Sequence, residues 1–335
     1  MVKEIKYTRV TDVHMTHKIG IIGYKNHAER LLNILDKKRD CCVEFIYHPT
    51  KKLKDIRGTN KISDLSSCDA ILISSPNQTH FNYLKKLEKF NGYIFCEKPP
   101  VVLRSELNSL RKFKIGKKRK ICFNFNFRFI KINSLIEEIV KDKHLGKIIN
   151  VNIIWTHGLA FKKEYVKSWR SKGNLHSVLD TVTVHFIDML NLHFGKPKKI
   201  QYYPKLVAKT GTAYDTVNMN MTYGNNVNVQ ILNSYASPLV NEISILTSNS
   251  WIVFRKNEFV IYHPRDVFNK KGFFKDPPIY KKLKIKIDKD YNKSLKYSLD
   301  DFIFHVKNNI PFDLKSFNTS LETNKIIIDL KKKLI

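Results

Sequence analysis

The chain runs to 335 residues, enough for two domains each with its own core. A hydrophobic share of 42%, with 12% aromatic, excludes a disordered or collagen-like polymer. Basic residues number 60 against 30 acidic, a formal charge of +30 that points to anionic partners.

Residues 18–124 alternate short apolar runs with helical spacing, the signature of a parallel α/β layer. Lys18 to Gly23 reads as a buried strand ending in glycine. Ala28, Leu31, Leu32 and Leu35 then fall at i, i+3, i+4 and i+7 of a helix. Further strands are expected at 43–47, 70–73, 93–96 and 121–125, with a helix after the Ser75–Thr79 turn carrying Phe81, Leu84 and Leu87 inward. From about residue 125 the rhythm changes. A helix near 132–143 precedes strand-like segments at 148–156, 198–208, 215–223, 227–235, 242–248 and 251–262, and helices close the chain at 299–307 and 320–332. The expected fold class is an α/β, doubly wound parallel sheet over 18–124, then an α+β domain with a large, open, mostly antiparallel sheet over 125–335. Residues 1–17 form an N-terminal extension.

No apolar run approaches the roughly 18–20 residues of a membrane span, and Met1 to His17 lacks the apolar stretch of a secretory signal. Five cysteines show no C-x-x-C or other metal spacing and are odd in number, so neither a metal site nor a disulfide framework is expected. A soluble, reduced, cytoplasmic protein follows. Of the 60 basic residues 49 are lysine and 11 arginine, scattered along a chain also rich in Ile, Asn, Phe and Tyr, which reads as base composition. Nucleic-acid readers favour arginine, and no motif of that class is present, so anionic small molecules are the expected partners rather than nucleic acid.

The first strand-to-helix turn is Gly23-Tyr24-Lys25-Asn26-His27-Ala28, where a dinucleotide fold carries G-x-G-x-x-G/A. The second glycine is replaced by Lys25, whose Cβ crowds a pyrophosphate while its charge suits an anion at a helix N-terminus. After the second strand no Asp or Glu stands at 47–52 to receive a ribose hydroxyl. His48, Thr50, Lys51 and Lys52 are there instead, and such a loop suits a 2′-phosphate, tilting the expectation to NADP over NAD. Further along, Ser74-Ser75-Pro76-Asn77-Gln78-Thr79-His80, Glu97-Lys98-Pro99, Asn124-Phe125-Asn126-Phe127-Arg128-Phe129, Trp169-Arg170 and His185-Phe186-Ile187-Asp188 follow in order at strand ends and on a later helix.

This ordered set resembles the glucose–fructose oxidoreductase/inositol dehydrogenase (Gfo/Idh/MocA) family, over nearly the whole chain from Lys18 to about Leu330. The resemblance implies a Rossmann domain, a tightly held NADP or NAD, and hydride transfer at a sugar or polyol carbon. The positive charge suits a nucleotide-linked sugar. By position, Gly23 to His27, His48, Lys51, Ser74 to Asn77, His80, Glu97, Lys98, Asn126, Trp169 and Arg170 would line the cofactor. Lys98 would polarise the reacting oxygen, and His185 would act as general acid/base. Asp188 is expected to be structural, and Arg128 and His176 are weaker candidates for anion contacts. The family's aspartate stands four residues before the histidine; here that residue is Thr181, and Asp180 is five before, about 140° away on an ideal helix. Either a one-residue π-bulge brings Asp180 back, or Thr181 takes the position with a neutral hydroxyl. The resemblance also implies a homodimer or homotetramer through the C-terminal sheet. The departures at Lys25 and Asp180 keep open an alternative, a catalytically impaired member that binds dinucleotide or sugar and regulates a partner.

Overall fold

Apolar runs too short for helices become the strands of a sheet buried on both faces. In chain order the first half gives β1 (His17–Ile22), α1 (His27–Leu35), β2 (Cys41–Tyr47), β3 (Gly58–Thr59), β4 (Ala70–Ile73), α2 (His80–Lys86), β5 (Tyr93–Glu97), α3 (Arg104–Arg111), α4 (Ile115–Lys118) and β6 (Ile121–Asn124). The computed structural model describes residues 16–25, 27–173 and 178–332. The six strands are all parallel, in the order 3-2-1-4-5-6. Strand order reverses between β1 and β4, which opens a crevice beyond their C-terminal ends.

The second half continues with α5 (Lys131–Lys141), β7 (Ile148–Thr156), α6 (Lys163–Lys167), a π-helical turn (Leu179–Thr183) running into α7 (Val184–Phe194), and β8 (Lys199–Lys205). It ends with β9 (Thr216–Thr222), β10 (Asn228–Ser234), β11 (Val240–Thr247), β12 (Trp251–Arg255), β13 (Glu258–Tyr262), β14 (Ile279–Lys284), α8 (Ile287–Lys307) and α9 (Leu314–Lys332). Its eight strands pair as 14-13-12-11-7-10-9-8, antiparallel except for β7 with β10. Alternate residues such as Val217, Met219, Ile231, Ile243 and Ile245 enter the core.

Several features differ from the sequence expectation: β3, α3, α4 and α6 are additional short elements, α9 begins six residues before the expected Ser320, and three further differences have a clear cause. The segment 251–262 is a hairpin, because Lys256 and Asn257 both take positive φ (50° and 63°), the backbone of a tight two-residue turn. Strand β14 was not expected: it is an exposed edge carrying Lys281, Lys282 and Lys284, with no apolar alternation to show it. Helix α8 begins twelve residues before the expected Leu299, since its first turns are polar. Leu299, Phe302, Ile303 and Val306 of α8 pack with Ile19, Ile21, Leu31 and Leu72, so the C-terminal segment closes one face of the first sheet. Among the described residues no helix is long and apolar enough to cross a membrane.

Candidate active site

The turns after β1 and β4 are built from backbone. Gly23 has φ +112°, and a Cβ there would stand 2.6 Å from Ser74 O, so the turn closes on β4 only with glycine. Ser74 Oγ is buried without a hydrogen-bond partner, an orphaned polar atom beside that turn. Ser75 Oγ and Thr79 Oγ1 are 2.7 Å apart, and Asn77 opens a short 3-10 turn after Pro76. Buried His80 bridges two carbonyls, Ser75 O (2.7 Å) and Pro99 O (2.8 Å), tying the β4 turn to the β5 turn. His48 Nδ1 accepts from the amides of Thr50 (3.3 Å) and Lys51 (2.9 Å). Partial burial, then Lys51 and Lys25, hold the His48 imidazole below its ordinary pKa. The charges of both lysines thus act on His48 at the end of β2. Tyr24 packs half-buried beside α1, while Asn26 and His176 lie outside the described residues.

The centre is a run of charges at the end of β5. Glu97 Oε1 accepts from His27 Nε2 and from Asn124 Nδ2, both at 2.6 Å. Burial opposes a charged Glu97, but His27, Asn124 and Lys98 outweigh it and lower its pKa. The Glu97 carboxylate in turn raises the pKa of His27. Next to this pair Lys98 Nζ donates to Thr181 O (2.9 Å) and Asp180 O (3.4 Å). Burial pulls the Lys98 ammonium down to about 8; Glu97 and Asp180 pull upward, and Arg170 adds to the lowering.

The π-turn explains why a lysine fits here. Val184 N–H donates to Leu179 O, five residues back, and the widened turn presents the carbonyls of Asp180 and Thr181 to Lys98. Of the two alternatives that the spacing left open the π-bulge is present, yet neither candidate side chain bonds to His185. Asp180 Oδ1 accepts from Lys331 Nζ of α9, and Thr181 Oγ1 meets the Tyr235 hydroxyl. The physical reason is a competing cation: Asp180 is 2% exposed and its carboxylate needs a charged partner, which an imidazole held neutral does not supply. His185 is stacked on Phe127 (4.4 Å between ring centres, 19° between planes), with Phe125 edge-on at 6.2 Å. Its Nδ1 is buried without a partner, and burial, then Lys98 and His27, push its pKa well below the ordinary value.

The remaining candidates sit around this centre. Arg170 lies over the Trp169 ring at 4.6 Å, and its charge reaches Lys98. Asn126 Nδ2 donates to Ser294 Oγ of α8 at 2.9 Å. Arg128 forms a two-pronged bridge to Asp188 (2.7 Å twice) and donates to Ser320 Oγ, so these residues pin the β6 turn, α7 and α9 together. Burial lifts the Asp188 carboxyl against the pull of Arg128. The sequence reading missed Lys331, Tyr235, Phe127, Ser294 and the pairing of His27 with Glu97. Phe127 lies inside the quoted Asn124–Phe129 stretch; Lys331 carried no signal among 49 lysines. Among the described residues no group of three or more His, Cys, Asp or Glu is placed to hold a metal.

Residues 17–125 match the oxidoreductase family model with an NAD-binding Rossmann fold, and residues 134–253 match the GFO/IDH/MocA C-terminal domain. The chain belongs to the Gfo/Idh/MocA oxidoreductase family. Inositol 2-dehydrogenase of Rhizobium meliloti is 25% identical over 191 residues, 54% of this chain and 56% of that protein. The first two curated relatives are matched over only 34% and 56% of their own length. Among solved structures, myo-inositol 2-dehydrogenase from Lactobacillus plantarum superposes with a TM-score of 0.75 at 16% identity, covering 96% of this chain and 98% of that one. An oxidoreductase from Agrobacterium radiobacter, in complex with NAD+, L-tartaric acid and magnesium, gives 0.76 at 14% identity, covering 93% and 94%. Within the family residues 17–125 of this chain are an NAD-binding Rossmann domain, and the Gly23 turn and the orphaned Ser74 hydroxyl fit that cofactor.

Proposed function

We propose that the protein is a nicotinamide-dependent oxidoreductase acting on the hydroxyl- or keto-bearing carbon of a sugar or polyol, with a nucleotide-linked sugar as the fuller expectation. One observation carries this reading. The Lys98 amine, with its midpoint near 8, rests on the π-turn that leads directly into neutral His185. When bound, the dinucleotide supplies or takes the hydride. For oxidation, Lys98 Nζ as a free amine takes the hydroxyl proton; in the reverse direction its ammonium donates to the carbonyl oxygen. His185, its plane held by Phe127, stands as the second titratable group near Lys98. Gly23, the start of α1, and Ser74 to Asn77 would hold the pyrophosphate and nicotinamide ribose. Lys25 and Lys51, whose charges both reach His48, support NADP, because they offer cations for a 2′-phosphate.

Two further elements belong to this proposal. The outer face of the eight-stranded sheet carries Trp251 stacked on Tyr262 (4.9 Å) with exposed Leu246 and Leu232, a surface suited to a second copy of the chain in a homodimer or homotetramer. The alternative reading, a dinucleotide- or sugar-binding regulator, is favoured by Asp180 pairing with Lys331 rather than His185. Calorimetric titration with NADP+ and NAD+, then turnover on inositols, hexoses and nucleoside-diphosphate sugars, separates the readings. Binding with appearance of reduced nicotinamide supports the oxidoreductase. Binding without turnover on any substrate supports the regulator, and no binding of either dinucleotide or of any sugar overturns both.

A further inference from the structure

One stretch of the surface departs from the even scatter of lysine along the chain. Seven of the ten residues from Arg111 to Lys120 are basic, against 60 of 335 overall, and no Asp or Glu stands between Glu106 and Glu137. Base composition spreads lysine and does not gather it, so it does not explain this run. The fold then adds to it. Lys117 Nζ donates to Phe90 O and Lys120 Nζ to Asn91 O, both at 2.5 Å. The same two ammonium groups lie over the Phe90 and Tyr93 rings at 5.4 and 5.5 Å. Lys85 lies over the Phe113 ring at 5.8 Å, which brings the end of α2, with exposed Lys86 and Lys89, onto the same surface.

Two features decide what such a surface fits. Its charges lack counter-charges: among the described residues no carboxylate pairs with a basic side chain of 112–120, and neighbouring Glu88 is taken by Lys85 at 2.6 Å. Burial, and then Lys120, pull the Lys117 ammonium down to about 8, so the cations also crowd one another. The crown of the patch, in contrast, is apolar. Ile115 opens the short α4 with 62% exposure, next to Gly116, where an added Cβ would meet nothing within 4 Å. An exposed aliphatic side chain among lysines fits a layer that is anionic at its face and hydrocarbon just beneath. Nucleic acid offers the charge without the hydrocarbon, and its readers use arginine and exposed rings, whereas Phe113 is buried.

We propose that this surface docks the protein on an anionic phospholipid bilayer, as a peripheral contact with the lysines on the headgroups and Ile115 between them. Gly92 and Lys120 immediately precede β5 and β6, so the patch stands at the N-terminal edge of the parallel sheet, and the crevice lies beyond the opposite edge. A docked protein thus keeps its crevice turned away from the bilayer and open to solution.

The test is co-sedimentation of the full chain with vesicles of equal parts phosphatidylcholine and phosphatidylglycerol, beside vesicles of phosphatidylcholine alone. Binding is expected to the mixed vesicles only, and is lost as salt approaches about 1 M. Lys112→Gln/Lys114→Gln/Arg119→Gln should weaken it about 10²-fold, at about fivefold for each charge near the surface. Lys198→Gln/Lys199→Gln/Lys205→Gln, an equal change of charge on exposed residues at β8, should leave it within a few-fold. Ile115→Ser should weaken it a few-fold. Absence of binding to the mixed vesicles overturns the proposal. Equal losses in the two triple variants do so too, by tracing the binding to net charge, as does an Ile115→Ser protein that binds as before. Tighter binding to an RNA or DNA duplex than to the vesicles at the same salt, lost in the first triple variant, would make the patch a nucleic-acid surface and overturn the proposal equally.

Discussion

The two ends of the crevice are built in opposite ways. At the nucleotide end the contacts are local and exposed: His48 takes the amides two and three residues on, and Asn60 closes the loop onto His48 and Lys51 carbonyls. At the redox end the charges are buried and their partners are far off in sequence. Glu97 meets His27 70 residues away, Lys98 meets Thr181 at 83, and Arg128 meets Ser320 at 192. An exposed loop tolerates exchange because water replaces a lost contact. A buried charge without its partner is destabilising by far more than the contact was worth. The redox end is therefore where single substitutions should tell most.

The largest effect is expected at Arg128. Arg128→Ala strands the Asp188 carboxylate in the core and should lower stability by about 3–5 kcal/mol, read by denaturant unfolding. A change below about 1 kcal/mol would show that the second lobe does not depend on this pin. Next is Lys98→Met, which should reduce turnover about 10²- to 10³-fold while dinucleotide affinity, read by calorimetry, stays within a few-fold. Equal loss of both would make Lys98 a binding group. At the other end, Lys51→Ala should weaken NADP+ about tenfold, on the order of a surface charge-assisted phosphate contact, and leave NAD+ unchanged. Equal affinities before and after would remove the case for a 2′-phosphate site.

The smallest effect concerns the His27–Glu97 pair. The folded-state pKa of His27 is raised, so its contribution is full below the ordinary 6.5 and is lost as pH rises through the raised value. The Glu97 value is lowered, so its contribution is full above the ordinary 4.5 and is lost as pH falls through the lowered value. The pair thus stabilises most between those two ordinary values. With the His27 side chain about a third exposed, the effect is on the order of 1 kcal/mol. In His27→Gln the plateau between those values should drop and the flanks above 6.5 and below 4.5 should flatten, and an unchanged curve would mean that the pair is not ionised.

The same contrast explains what the sequence made readable. The short apolar strands and the Glu97-Lys98-Pro99 turn are local patterns whose physics lies within a few residues, and the glycine closing the first strand could be read there too, although what it makes room for is Ser74 on β4. Even the π-turn could be read from one misplaced aspartate, since a five-residue spacing fits an i to i+5 bond. Where Asp180 then points could not, because the answer sits on another helix near the end of the chain. Strand β14 and the first turns of α8 were hidden for a different reason: their residues are exposed or polar, and burial is what writes a pattern.

Helix α8 covers one face of the first sheet with Leu299, Phe302 and Ile303. During synthesis the first sheet therefore leaves the ribosome with an uncovered apolar wall, and it stays so until some 180 more residues have been translated. Nascent chains of this protein should accordingly recruit chaperones across that interval, and C-terminal truncations that remove α8 should aggregate rather than yield a free nucleotide-binding half.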